Sequence, residues 1–169
     1  MNQEITDKSS LDEFANAKLP SSLNILTILT IVACSIFFLL EIYGFATAKT
    51  SYEKTKELME SGKVNEMPEF ARKFITPEAL ALQKKKMENK LPILILDVVA
   101  LALCFYGALE MRKRKKQGYT FWLIGELLPI ATTLLFMGAA AFGGFALLFW
   151  LFPIVFIILY TVNRKHLVY

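Results

Sequence analysis

The chain has 169 residues, 55% of them hydrophobic and 13% aromatic, with 19 Lys and Arg against 15 Asp and Glu. A mean hydropathy of +0.45 is too apolar for a soluble domain, in which apolar residues make up about 45–50%. Two cysteines cannot staple a disulfide scaffold, and this aromatic content excludes an intrinsically disordered chain.

Charge is segregated: the 22 positions Leu19 to Leu40 and the 37 positions Leu127 to Asn163 contain no Lys, Arg, Asp or Glu. A hydrocarbon core of about 30 Å needs about 20 helical residues. The sequence therefore predicts an all-α integral membrane protein with four transmembrane helices and a 42-residue helical loop between helices 1 and 2. A β-barrel is excluded by the missing two-residue alternation.

In chain order, residues 1–21 form a polar, acidic tail, disordered or carrying a short helix capped by Ser9 or Ser10. Residues 22–48 are the first span, expected to remain as a signal anchor because four acids precede it and no small-residue cleavage site follows. Residues 49–90 form the extracytoplasmic loop. Within it a helix from Tyr52 should end at Gly62, Pro68 should start a second reaching Phe74, and Thr76-Pro77-Glu78 should start a third that Pro92 redirects into the next span.

The second span covers 91–110, a basic cytoplasmic loop 111–118, and the third span 119–138. Gly138 to Gly144 breaks the last apolar stretch at a tight turn, 139–142, before the fourth span, 143–162, and a basic tail, 163–169. Ala140 and Gly144 have the small-xxx-small spacing of close helix approach, read as hairpin packing.

Basic residues number nine on one side and ten on the other, so the raw count does not orient the chain. The dense run Arg112, Lys113, Arg114, Lys115 and Lys116 lies in a short loop, where such residues are the strongest topology determinants, and places both termini in the cytoplasm. A bacterial cytoplasmic membrane is the expected location, and no nucleic-acid role is assigned to the run. Trp122 with Tyr119, Trp150, and Tyr43 or Tyr160 are candidates for interfacial anchors, with packing as the alternative for Trp150, about eight residues into the fourth span.

Ionisable groups within spans are costly and therefore informative. Glu41, Asp97 and Glu126 are the candidate intramembrane polar, proton or ion site. Glu41 and Asp97 should share a depth near the outer boundary, with Glu126 offset by about 10 Å. No cation lies within a span, so Ser35, Thr132, Thr133 or backbone carbonyls are the expected partners. Glu110 reads as a solvated helix end. Pro129 and Pro153 are candidate kinks, and Cys34 and Cys104 read as small buried apolar residues with no CxxC pairing.

Phe70, Phe74, Lys84, Lys85 and Lys86 are the candidate interfacial or partner surface of the loop. No catalytic or metal-ligand set is present, and His166 reads as a tail residue. No cofactor is expected, and the predicted partners are the lipid bilayer and other membrane subunits or further copies of the chain. The first loop lacks the tryptophan and paired cysteines of a claudin-like protein, the chain lacks the CxxC of a quinone-linked thiol oxidoreductase, and the loop's length does not suit a small multidrug-resistance transporter. The reading is a non-enzymatic accessory or scaffold subunit, with an oligomeric transporter or channel subunit using Asp97 and Glu126 as its rival.

Overall fold

A computed structural model describes residues 19–143 and 146–168. The expectations for the first 18 residues and for Gly144 lie outside the described residues. Among the described residues every regular element is helical. Three helices are long and apolar enough to cross a membrane: α1 (Ser21–Glu60), α4 (Lys90–Arg112) and α5 (Lys116–Phe136).

The 40 residues of α1 extend about 60 Å, roughly twice the thickness of a hydrocarbon core. The sequence places the end of the first span near residue 48 and a new helix at Tyr52, but the structure runs them together. Lys49, Thr50 and Ser51 contain neither Pro nor Gly to break the helix, and the exposed pairs Lys49–Glu53 and Lys56–Glu60, at 3.8 and 3.6 Å, continue its i,i+4 pattern. The stop is where expected: Ser61 caps the helix and Gly62, at φ +72°, takes the left-handed conformation that favours glycine.

A 3-10 turn (Lys63–Glu66), the single-turn α2 (Glu69–Arg72) and α3 (Pro77–Glu88) follow. The Thr76 hydroxyl caps α3 by accepting the Ala79 N–H at 3.1 Å, with Pro77 at the first helical position. α3 folds back against α1 and is fixed at its far end when Lys85 Nζ donates to the Met137 carbonyl at 3.2 Å. Asn89 separates α3 from α4, and Pro92 falls in the first turn of α4, where its missing N–H removes no helical bond.

α5 starts at Lys116, three residues before the predicted boundary, and continues through Pro129. Gly138, at φ +84°, and a 3-10 turn (Ala139–Phe142) lead to α6 (Ala146–Asn163), which continues through Pro153. A last 3-10 turn, Arg164–His166, follows α6.

The tightest packing joins α4 to α5. Ile93, Ala100, Cys104, Gly107 and Met111 on α4, and Gly118, Trp122, Gly125 and Thr132 on α5, are buried at intervals of seven or of alternating four and three residues. That is the heptad spacing of two helices wound closely together. An added methyl at Gly107 would lie 2.5 Å from the Trp122 backbone nitrogen and 2.6 Å from the Gly118 carbonyl oxygen. One at Gly125 would lie 2.6 Å from the Ala100 carbonyl oxygen. Backbone meets backbone here, so only glycine fits.

At the end of the bundle that holds the basic turn, the chain is stitched together. Arg112 Nη1 donates to Asn24 Oδ1 at 2.9 Å and to Thr27 Oγ1 at 3.2 Å, tying the end of α4 to the start of α1. The Val168 N–H donates to the Arg114 carbonyl at 2.8 Å, Arg114 Nε donates to the His166 carbonyl, and Ser22 bonds Asn163. His166 thus belongs to a docked tail, not a free one.

Glu110 corrects the sequence reading. It is 2% exposed and is gripped by Lys113 at 2.9 Å, Lys115 at 2.6 Å and Gln117 at 3.1 Å. Arg114, at φ +59°, is the only non-glycine residue with positive φ among those described, and it marks the reversal that wraps the basic turn around this carboxylate. Part of the basic run therefore serves folding in addition to any role in topology.

Candidate functional site

The structure divides the intramembrane carboxylates into two groups. Asp97, two turns into α4, lies within the electrostatic reach of Glu41 on α1 and of Lys86 on α3. α3 also brings a cation, Lys86, that no span contains. Beside them a space of about 10 Å³, room for one water, is lined by Glu41, Gly44, Phe45, Lys86, Lys90 and Ile93. The Lys90 ammonium sits 4.8 Å from the centre of the Phe45 ring.

Glu126 belongs to a second group near the middle of the bundle. Its carboxylate accepts from the Cys104 thiol at 3.7 Å, and the same thiol lies 3.6 Å from the Trp122 carbonyl. Two of the three expected hydroxyl partners are occupied elsewhere: Ser35 donates to Ile31 O and Thr132 to Leu128 O, each closing a bond within its own helix.

Cys34 lies in the same core. The two cysteines of the chain, 70 positions apart in sequence, lie on α1 and α4 and belong to the same buried core cluster. Each is buried, as expected. One turn before Cys34, Thr30 bonds the Tyr160 hydroxyl at 2.7 Å, and the Tyr160 ring packs 4.2 Å from that of Trp122. Four helices therefore meet around Thr30, Cys34, Cys104, Trp122, Glu126 and Tyr160.

Trp122, 1% exposed, and Tyr160, equally buried, are core residues, which corrects their reading as interfacial anchors. Tyr43 is open to the surroundings, as an anchor would be, and Trp150 packs 4.6 Å from Phe142. Among the described residues no group of three or more His, Cys, Asp or Glu is arranged to hold a metal ion.

Cys34 borders the larger opening in the bundle, an apolar groove of about 460 Å³ between α1 and α4. Phe38, Leu39, Leu101, Ala102 and Phe105 form most of its wall. Outside the spans, Phe70 is 73% exposed and packs edge-to-face with Phe74 at 5.1 Å, on the segment that also carries Lys84, Lys85 and Lys86. Lys84 pairs with Glu88 at 3.8 Å, and Lys85 is used against α5, so the three lysines do not form one uniform patch.

The fold defines an all-helical protein with three helices of membrane-crossing length and composition. No protein family, curated protein or solved structure matches the chain.

Proposed function

We propose that the protein is a four-span subunit of a bacterial cytoplasmic membrane, with both termini in the cytoplasm, acting as a non-enzymatic accessory or scaffold component of a larger membrane assembly. The observation that carries this reading is the exposed Phe70–Phe74 pair, held outside the apolar spans on a helical unit built from the far end of α1, α2 and α3. Two aromatic rings packed against each other on an otherwise charged surface are suited to docking a partner, since exposed aromatics supply much of the binding energy at interfaces. The stitched opposite end, with Arg112, Glu110 and the tail engaged internally, suits a rigid support.

The test is extraction in mild detergent followed by native mass spectrometry. A stoichiometric larger membrane protein that is lost from the Phe70→Ala/Phe74→Ala double variant supports the proposal. A pure homo-oligomer, unaffected by that variant, overturns it.

The transport reading keeps one observation of its own, a water-sized space lined by Glu41 and Lys86 with Asp97 within their electrostatic reach. Opposed to it is the placement of Glu126 in a different cluster, against Cys104. In liposomes, ion flux that is lost in Asp97→Asn would move the assignment to transport.

A further inference from the structure

The seam between α1 and α4 stacks a polar site above an apolar groove. At the basic end Arg112 Nη1 donates to Asn24 Oδ1 at 2.9 Å and to Thr27 Oγ1 at 3.2 Å. These two acceptors fix the guanidinium, yet its Nε and Nη2 donors make no hydrogen bond among the described residues, and the residue is exposed. The groove of about 460 Å³ opens between the same two helices. On α4, positions 98, 101, 105 and 112 recur at three, four and seven residues, so Val98, Leu101 and Phe105 of the groove share a face with Arg112. On α1, Phe38 follows Asn24 by fourteen residues and Cys34 follows Thr27 by seven, which aligns them in the same way.

We infer that this seam binds one anionic phospholipid of the adjoining leaflet, with the phosphate on Arg112 and an acyl chain in the groove. The inference rests on α1 and α4 crossing the membrane and not on the scaffold role. Depth fits the occupant. At about 1.5 Å per residue the groove extends from Phe105, about 10 Å below Arg112, to Val98, about 21 Å below it. A bilayer of about 40–45 Å including its head groups has its midplane about 20 Å from the head-group surface, so the groove ends where an acyl chain of that leaflet ends. Phe38, Leu101 and Phe105 give that chain an apolar wall.

Charge selects the head group. Residues 110–118 and 163–168 hold seven Lys and Arg against one acid, and that acid, Glu110, is already held by Lys113 and Lys115. Residues 19–27, at the start of α1, carry no charge. A net negative head group is therefore favoured over a zwitterionic one, whose ammonium would meet a field of its own sign. The open Nε and Nη2 donors form one edge of the planar guanidinium fork and can bond two phosphate oxygens together, a geometry that lysine does not offer. With Nη1 anchored to α1, little side-chain freedom remains to be lost on binding.

The experiment places the full chain in nanodiscs of equal parts phosphatidylglycerol and phosphatidylcholine with identical acyl chains, and weighs the protein released from them by native mass spectrometry. The expected result is one phosphatidylglycerol retained per chain, about tenfold over phosphatidylcholine, the scale of a charge-assisted hydrogen bond. Arg112→Gln should lose that preference. Ala102→Trp, which fills the groove away from the Arg112 tie, should lose retention of either lipid. Lys165→Gln is the charge control, since the tail is held through Asn163 to Ser22, two positions from Asn24 and so on another face of α1; it should leave the lipid in place. Wild-type chains that insert and are released without lipid, or with both lipids equally, overturn this inference alone. A loss in Lys165→Gln as large as that in Arg112→Gln overturns it in favour of diffuse charge attraction. Chains that fail to enter the nanodiscs overturn the membrane reading and this inference with it. The wild-type lipid preference decides the matter even where a variant fails to fold.

Discussion

The α4–α5 seam makes Gly107→Ala the most informative single substitution. The added methyl would sit 2.5 Å from the Trp122 nitrogen, 2.6 Å from the Gly118 oxygen and 2.7 Å from Trp122 Cβ. Ordinary contact begins about 1 Å further out, and two of the three obstacles are backbone atoms, so no side chain can turn away. The helices must part instead, and overpacking of this kind costs about 1–3 kcal/mol. Alanine in place of glycine within a helix returns about 0.5–1 kcal/mol, leaving a net loss of roughly 1–2 kcal/mol. Gly44, also within a long helix, has nothing within 4 Å of its missing methyl, so Gly44→Ala should be neutral or stabilising by up to about 1 kcal/mol.

Unfolding by denaturing detergent in mixed micelles, followed by Trp122 fluorescence in a Trp150→Phe background, measures both. Gly107 and Gly118 face each other, so the double substitution Gly107→Ala/Gly118→Ala should cost less than the two singles together, because the first methyl has already separated the helices. Equal stability of Gly107→Ala and Gly44→Ala would refute the close backbone packing of this seam.

Three further outcomes follow from local structure. Thr76→Ala removes the cap of α3 and should cost that helix about 1 kcal/mol, seen as faster amide exchange at residues 79–82; unchanged exchange would show that the cap contributes nothing. The Glu78 carboxyl is held below its ordinary value of 4.5 by its own backbone N–H and by the Thr76 hydroxyl. Its stabilisation is therefore present above pH 4.5 and lost as pH falls through the lower folded value, so α3 should exchange faster in that acid range in the wild type and show a smaller acid effect in Glu78→Gln. Glu110→Gln leaves Lys113 and Lys115 facing a neutral amide and should speed exchange at residues 113–117 and at Val168, whose N–H bonds the turn at Arg114; exchange confined to the wild-type rate would assign Glu110 no organising role.

Much of this was readable from local sequence. Gly62 and Gly138 end helices where a left-handed backbone is needed, and Thr76-Pro77 starts one, because each signal is complete within four residues. The long apolar runs marked α1, α4 and α5 by length alone. Hydropathy reports the bilayer and not the helix, which is why α1 continues past the charge boundary at Lys49 to Glu60 without any change in backbone pattern. The four-and-three spacing of Gly118, Trp122, Gly125, Pro129 and Thr132 was also present in sequence, but it identifies a seam only once a partner with Ala100, Cys104 and Gly107 is known. The common core of Cys34 and Cys104 and the placement of Lys86 beside Glu41 depend on the register of the helices and on the fold-back of α3. No window of sequence contains that information. Glu110 misled for a related reason: its neighbours in sequence are basic and polar, yet the left-handed turn at Arg114 folds them around it.

The proposed function rests on a chain that crosses the membrane four times, with the α2–α3 unit on one side and the basic turn and tail on the other. It is tested most directly by single cysteines at Ser61, Lys116 and Lys165 in a Cys34→Ser/Cys104→Ser background, labelled in intact cells with an impermeant maleimide. Labelling at Ser61 alone, with Lys116 and Lys165 reacting only after permeabilisation, is the predicted result. Labelling at Ser61 and Lys165 together would show that α6 does not cross, and equal reactivity of Ser61 and Lys116 would contradict the account at its base.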